Sequence, residues 1–415
     1  MANSDRSLSS RPEPAAAGSG RLLSLDAFRG LTILAMILVN NPGQWGPQYW
    51  PLAHADWHGW TPTDLIFPFF LFIVGTSLAY SLRKYRGDGT NPPLTPPHKG
   101  GERRIAPRVY WRIVRRTAAL ILLGLLPGIL IRVSGYLFGD PSALDFSTLR
   151  FTGVLQRIAV VYFITSLVAL HVPIRAQAVL GGTLLLGYWA LLGFLPDPGN
   201  YEQNLSPDGN VVGLVDRAVF TPPHMYTYSP DTGALREMTE PEGILSTLPA
   251  IVTCLLGYWT GLAIQRRGVN YATVVLLVGC GAICVEIGLL WGLAFPINKK
   301  IWTSSYVLLT GGLAMQLLAG SLVMFDLWGW RRLARPFEIV GVNAIFAFVA
   351  SGLVAILLNS VNVGGLSAHE WLYQNLFTSW IADPKLASVG FSGMTVAFWW
   401  FVCWVMARLG WSIRV

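Results

Sequence analysis

The chain has 415 residues, of which 53% are hydrophobic and only 13% are charged, and its net charge is +8. This balance argues against a water-soluble globular domain, because such domains contain about twice that share of charged residues. The basic residues lie between apolar stretches rather than in one basic region, so the charge indicates the positive-inside rule of membrane proteins and not a nucleic-acid partner.

Long apolar stretches separated by short polar joints recur along the whole chain. A helix needs about 20 apolar residues to cross the hydrocarbon core of a bilayer. We therefore predict an all-α polytopic membrane protein, a bundle of about ten transmembrane helices, or eleven if the weaker stretch 371–381 is counted. The ten spans are predicted at 22–41, 62–82, 111–131, 150–171, 176–195, 244–265, 271–292, 302–324, 337–358 and 389–410.

The polar segments predict the domain organisation. Residues 1–20 are rich in Pro, Ala, Gly and Ser, which predicts a disordered cytoplasmic tail before a membrane domain over 21–415. Ten Lys and Arg residues occupy 83–116, which makes 83–110 a basic cytoplasmic linker and places both termini in the cytoplasm. The segment 196–243 carries eight acidic residues and is predicted to be a structured loop on the outer face.

Ionisable residues border the second span in the stretch HADWHGWTPTDLIFPFF, residues 54–70. Polar groups at membrane depth are unfavourable unless they are paired or line a wet cavity, which favours an inward-facing site, although an ordinary interfacial loop has the same composition. His54 and His58 would share one face of a helix, as in some zinc sites. No Glu follows His54, and Gly59 and Pro62 discourage a helix, so we predict no metal.

A few charged and amide side chains interrupt the spans. Asp26 and Arg29 are three residues apart and can pair on one helix face. Gln156 and Arg157 open the fourth span, where an arginine requires a carboxylate or phosphate partner.

Six separated blocks occur in one order along the chain: RLLSLDAFRGLTILAMILVN, HADWHGWTPTDLIFPFFLFIVG, GVLQRIAV, PEGILSTLPAI, FPINKKIWTSSYVLLTGG and VGVNAIFAF. Together they resemble the transmembrane heparan-α-glucosaminide N-acetyltransferase family and its bacterial homologues. The resemblance implies transfer of acetyl from cytoplasmic acetyl-CoA to the amino group of a glucosamine, or of a glucosamine-containing saccharide, across a bacterial inner membrane. Because about 20 polar residues precede the first span, we expect no counterpart of the animal lumenal domain.

The same resemblance implies roles for individual residues. The catalytic histidine of the family precedes the block W-x-G-x-T-x-x-D-L-x-F-P, and that position here is His54. The family's asparagine at the end of the first span corresponds to Asn40 or to Asn41. We expect His54 to act as a general base or to carry the acetyl group, and Asn40 to donate to the oxyanion or to hold the substrate. Asp56 or Asp64 is expected to orient the imidazole. His58 is expected to tolerate replacement best.

Binding residues are predicted on both faces. Arg29, Arg157 with its neighbour Gln156, and the arginines before the third span are expected to bind the coenzyme phosphates. On the outer face the acceptor is expected to contact residues of the block FPINKKIW, namely Asn298, Lys299, Lys300 and Trp302, with the tryptophan offering a face for stacking on a sugar.

Two other functions fit the same sequence. Polar groups buried on several helices are also typical of a transporter, so an amino-sugar (N-acetylglucosamine) permease is the main alternative. A passive membrane scaffold is the third interpretation. The lipid bilayer is one expected partner. Exposed aromatic faces are also compatible with a homodimer, although nothing in the sequence specifies one.

Overall fold

The computed structural model describes residues 22–85, 106–138, 141–226, 228–229, 232, 234–235 and 237–413. In this part of the chain β structure is confined to two small hairpins, β1 (Tyr228–Ser229) with β2 (Ala234–Leu235) and β3 (Asn362–Val363) with β4 (Leu366–Ser367). The all-α prediction is confirmed. The predicted tail 1–20 and most of the predicted linker 83–110 lie outside the described residues.

The helices follow the predicted spans closely. The described residues form eleven helices of twelve or more residues and three shorter ones, α6, α7 and α13. In chain order they are α1 (Leu23–Asn40), α2 (Ile66–Leu82), α3 (Pro107–Leu137), α4 (Val154–His171), α5 (Ile174–Phe194), α6 (Tyr201–Asn204), α7 (Val211–Phe220), α8 (Thr247–Arg267), α9 (Tyr271–Gly292), α10 (Ser304–Ser321), α11 (Arg331–Val342), α12 (Ala344–Ser360), α13 (Ala368–Tyr373) and α14 (Pro384–Arg408). Among the described residues nine helical segments are long and apolar enough to span a membrane, and a bent pair makes a tenth. The start of α3 at Pro107 shortens the predicted linker.

The bent pair corrects the predicted ninth span, 337–358. Instead of one straight helix, α11 and α12 meet at an angle of 66°. The break falls at Asn343, a 1% exposed residue whose side-chain oxygen accepts a hydrogen bond from the Ile413 amide at 2.9 Å. The side chain that interrupts the helix therefore anchors the C-terminal segment of the chain.

The weak stretch 371–381 does not form an eleventh span. It is covered by α13 and a π-helical turn, Gln374–Thr378, which together are too short to cross a bilayer. The half-helix interpretation of this stretch is the one that the structure supports.

The bundle is organised around α8. Inside its apolar window 83% of the residues are buried, whereas the corresponding fraction is 11% for α3 and 22% for α9, which leaves those two helices at the periphery. Small residues let membrane helices approach closely. At the α2–α8 crossing, a Cβ atom at Gly257 would lie 2.0 Å from the carbonyl oxygen of Phe72, so only glycine fits there.

Successive spans alternate in direction, which gives the bundle two unlike ends. We call the end where α1 begins and α2 finishes the basic end, because Arg83 follows α2 there, Arg112 lies in the second turn of α3, and the pair Arg266/Arg267 ends α8. The opposite end carries the 41–61 loop and the 196–243 segment, and we call it the His54 end. Among its described residues, the 196–243 segment contains α6, α7 and the β1–β2 hairpin.

Candidate active site

His54 and Asp64 form a close pair at the His54 end. The imidazole Nδ1 lies 2.7 Å from Asp64 Oδ1. The Asp64 side chain is 1% exposed and that of His54 is 48% exposed, so the carboxylate is buried beneath a ring that remains accessible. If the carboxylate accepts the Nδ1 proton, Nε2 keeps its lone pair free for an incoming proton.

Local sequence positions this carboxylate. Thr61 and Asp64 form a capping box at the start of the helical turn that leads into α2, with Pro62 at the first position of the turn. Asp64 Oδ2 accepts hydrogen bonds from the amides of Ala55 at 3.0 Å and Thr61 at 3.1 Å. The Tyr306 hydroxyl donates to the Asp64 backbone carbonyl. Asp64 therefore fixes the loop and the imidazole together.

The stretch from His54 to His58 is not helical, so the shared helix face considered for these two histidines does not form. Gly59, at φ +98°, donates its amide to the Ile297 carbonyl at 2.7 Å. This contact holds the loop against the segment between α9 and α10. His58 points to that segment, with Nδ1 3.4 Å from Asn298 Nδ2, whereas His54 faces Asp64.

Lys299 approaches the pair from the same segment. Its Nζ lies 3.3 Å from Asp64 Oδ1 and 3.0 Å from His54 Nδ1. Burial lowers the pKa of Lys299, and the neighbouring Asp64 carboxylate opposes this shift. Lys299 therefore contributes a positive group to the buried Asp64 carboxylate.

A cavity of about 710 Å³ surrounds the pair. Asn40 lines it and is exposed, while the neighbouring Asn41 is 8% exposed and donates its side-chain amide to the Ile37 carbonyl at 2.8 Å. Asp56 also lines the cavity and is exposed. Of Asn40 and Asn41, Asn40 is therefore the exposed asparagine at the cavity. Of Asp56 and Asp64, Asp64 is the carboxylate that contacts His54.

The predicted acceptor residues are not equivalent. Lys300 lines the cavity and binds Glu237 of the 196–243 segment, with Nζ–Oε1 at 2.9 Å. Asn298 is 0% exposed and caps its own turn through the Ile301 amide at 3.1 Å, so the prediction that it contacts the acceptor is corrected. Trp302 lines the cavity but is 1% exposed, beneath Arg157, so it has no open face for stacking on a sugar.

Sequence reasoning missed the residues that close the cavity from the other side. Arg150 binds Glu240 and Glu242, the latter at 2.6 Å, and both Arg150 and Glu242 line the cavity. The eight acidic residues of 196–243, which include Glu240 and Glu242, already indicated that this segment could bind a basic side chain. Their pairing with an arginine before α4 depends on how the segment folds back.

A second cavity, of about 420 Å³, opens at the basic end and is lined by Arg29 and Arg116. Arg29 pairs with Asp26 at 3.0 Å, as its spacing predicted, and donates to Ser77 at 2.6 Å. The Nε atom of Arg116 is buried and has no hydrogen-bond partner among the described residues.

Arg157 does not lie at the basic end, which corrects its predicted role as a phosphate ligand there. It is 2% exposed, donates to the Gly243 carbonyl at 3.2 Å and to the Ser246 hydroxyl, and lies over the Trp302 ring. Its neighbour Gln156 packs against Gly124 of α3, where a Cβ atom would meet the amide at 2.4 Å, and lines neither cavity. Through its contact with Trp302, which lines the His54 cavity, Arg157 supports the floor of the site.

Asp216 on α7 is a buried carboxyl beside this floor. Its Oδ1 accepts the Ile244 amide at 2.9 Å, its exposure is 0%, and burial raises its pKa to about 7. A carboxyl with a raised pKa binds a proton in the folded state that the unfolded chain has already lost, so stability falls as the pH rises from about 4 to 7.

Asp216→Asn is therefore expected to raise the free energy of unfolding by about 2 to 4 kcal/mol at pH 7.5 and to change that free energy little at pH 4.5. Asparagine keeps the acceptor for the Ile244 amide and removes the charge. Thermal unfolding in detergent, followed by tryptophan fluorescence at both pH values, measures the difference. A variant that is equally destabilised at both pH values would contradict this account.

Comparison with known proteins identifies relatives of the chain. Residues 21–201 match the profile of heparan-alpha-glucosaminide N-acetyltransferase, catalytic. The heparan-alpha-glucosaminide N-acetyltransferase of Mus musculus is 27% identical over 384 residues, which cover 82% of this chain and 54% of the relative. That of Homo sapiens is 28% identical over 376 residues, covering 79% and 52%. The chain thus spans about half the length of these curated relatives.

The matched region contains His54, Asp64 and the loop between them, and the longer alignments cover about four fifths of the chain. The resemblance to the heparan-α-glucosaminide N-acetyltransferase family, predicted from six sequence blocks, is therefore confirmed.

Proposed function

We propose that the protein transfers an acetyl group from cytoplasmic acetyl-CoA to the amino group of glucosamine, or of a glucosamine-containing saccharide, on the far side of a bacterial inner membrane. The observation that carries the proposal is the accessible His54 imidazole on the buried Asp64 carboxylate, 2.7 Å apart, inside a cavity at the end opposite the basic one. The relatives named for this reaction support it.

The cavity at the basic end fits the anionic donor. Arg116 offers a buried nitrogen that no described residue satisfies, and Arg29 lines the same cavity. Guanidinium groups bind phosphate through paired hydrogen bonds, and an orphaned buried donor favours a ligand that accepts from it. When bound there, acetyl-CoA supplies the activated acetyl thioester.

The two cavities adjoin along the bundle axis. Phe70 and Leu155 line the cavity at the basic end, and Phe67 and Val154 line the cavity around His54. Phe67 and Phe70 are about one helical turn apart on α2, and Val154 and Leu155 are neighbours on α4. A thin apolar layer therefore separates the two cavities. Only the acetyl-bearing arm of a donor has to pass this layer, while its charged phosphates stay with the arginines.

The side chains around His54 suit amide formation. Nε2 of His54 takes the proton from the attacking amine, a role commonly worth about 10²- to 10⁴-fold in rate. Asp64 holds the ring through Nδ1. Asn40 and the Lys299 ammonium lie on the cavity wall, where they can stabilise negative charge on the reacting carbonyl oxygen.

Asp64→Asn is expected to lower kcat by about 10²- to 10⁴-fold, because an amide at this position no longer fixes the imidazole tautomer. Asp56→Asn is the matched comparison, since Asp56 is exposed at the same cavity. We expect a much smaller loss for it, measured as initial rates with saturating donor. A larger loss from Asp56→Asn than from Asp64→Asn would contradict the orienting role of Asp64 and would assign that role to Asp56.

The direct test uses protein reconstituted in liposomes, with acetyl-CoA on one side and glucosamine on the other. Formation of N-acetylglucosamine with stoichiometric release of coenzyme A is the expected result. Uptake of labelled N-acetylglucosamine without any acetyl donor would support the permease instead, and absence of coenzyme A release with every amine tested would overturn the proposal.

A further inference from the structure

A third cavity, of about 450 Å³, adjoins the His54 cavity at a shared residue. Asn40 lines both, at the point where α1 ends. The new cavity lies between the 42–45 stretch of the loop, the end of α12, and α13 with its π-helical turn. Its volume is within the range of about 300 to 1,000 Å³ that is typical of small-molecule sites.

Packing holds the walls of this cavity in place. A Cβ atom at Gly43 would lie 2.4 Å from the Tyr373 ring, so the loop rests directly on α13. The Ser388 hydroxyl of α14 donates to the Gln44 carbonyl at 3.3 Å. The cavity is therefore a built part of the fold rather than a gap between mobile segments.

Neutral hydrogen-bonding groups dominate the lining. Amide and hydroxyl side chains come from Asn40, Gln44, Asn359, Ser367, Gln374 and Thr378. None of the described lining residues is Lys or Arg. The lining carboxylate, Glu370, accepts from Gln374 Nε2 at 3.1 Å, and burial lowers the pKa of the His369 imidazole.

This chemistry matches one class of ligand. Amides both donate and accept, as sugar hydroxyls do, and the exposed Trp45 ring at the rim, 68% exposed, offers an apolar face to the C–H side of a sugar. A uronate, sulfate or phosphate would require arginine or lysine here. A lipid chain would require an apolar lining.

We propose that this cavity is a second saccharide subsite, which binds an uncharged sugar residue attached to the glucosamine whose amine faces His54. The inference rests on the proposed function for the position of the glucosamine. It adds that the preferred acceptor is an oligosaccharide with a neutral neighbouring sugar, and that Asn40 lies between the two sugars.

Acceptor kinetics test the subsite with three probes: glucosamine, glucosaminyl-(1→4)-N-acetylglucosamine and glucosaminyl-(1→4)-glucuronic acid. For the neutral disaccharide we expect kcat/KM to exceed that for glucosamine about tenfold or more, since two net hydrogen bonds are worth about that much. The acidic disaccharide should show no such gain. Asn359→Leu and Gln374→Ala should remove the gain, whereas Asn375→Ala, on the same turn but outside the cavity, should keep it.

Binding of N,N′-diacetylchitobiose, which has no free amine, separates the subsite from the transfer reaction. Calorimetric titration of the protein should show binding that is lost in Asn359→Leu and Gln374→Ala and kept in Asn375→Ala. Such binding without acetyl transfer to any acceptor would overturn the proposed function and support the subsite. Equal binding by all four proteins, or equal kcat/KM for all three acceptors, would overturn the subsite.

Discussion

Replacing His54 with alanine is expected to lower kcat for acetyl transfer by about 10²- to 10⁴-fold, the usual contribution of a general base. The imidazole is the accessible member of the His54–Asp64 pair, and among the described residues no other imidazole contacts Asp64. Initial rates of coenzyme A release at saturating donor and acceptor measure the change.

His58→Ala is the matched control for this experiment. His58 lies four residues away in the same loop but contacts Asn298 instead of Asp64. We expect it to retain most of the activity, with an unchanged elution profile in detergent. Comparable losses from both variants would mean that the loop, and not the imidazole at position 54, is what the reaction requires.

Replacing Gly257 with leucine is expected to prevent folding of the bundle. A side chain at this position would overlap the carbonyl group of Phe72, with Cβ 2.0 Å from the oxygen, so α2 and α8 would have to separate. Since α8 is the most buried span, the loss should exceed about 4 kcal/mol, a large part of the total stability of a folded protein. The yield of monodisperse protein in detergent reports the outcome.

Gly279→Leu provides the control with the same chemical change. Gly279 lies on the peripheral helix α9, and a Cβ atom there meets nothing within 4 Å. We expect normal yield and a similar unfolding temperature. If Gly257→Leu folded as well as Gly279→Leu, the close α2–α8 crossing would not be needed for stability.

Apolar patterning predicted the spans well because the bilayer imposes one length and one composition on every helix that crosses it. The span predicted at 271–292 coincides with α9, Tyr271–Gly292. The prediction of one straight helix over 337–358 was wrong, because apolar residues continue across Asn343 and a hydropathy pattern carries no information about a bend. At that bend Asn343 accepts a hydrogen bond from the amide of Ile413, which is 70 positions away in the sequence.

The contact between two of the predicted site residues is local in the sequence. His54 and Asp64 are ten positions apart, and a capping motif readable in the sequence brings them together. Arg157 was placed at the wrong end because its partners, Gly243 and Ser246, come from the segment before α8. Composition shows that a buried arginine requires partners, but it does not show which ones.

The sequence by itself determined the all-α membrane class, most helix bounds and the His54 loop, because hydrophobic length and local capping act over a few turns of chain. Only the tertiary structure decided which polar groups meet. It brought Lys299 to Asp64, Arg150 to Glu240 and Glu242, and Asn40 to the boundary between two cavities. These contacts join residues from different helices and loops, and their geometry depends on how the whole bundle packs.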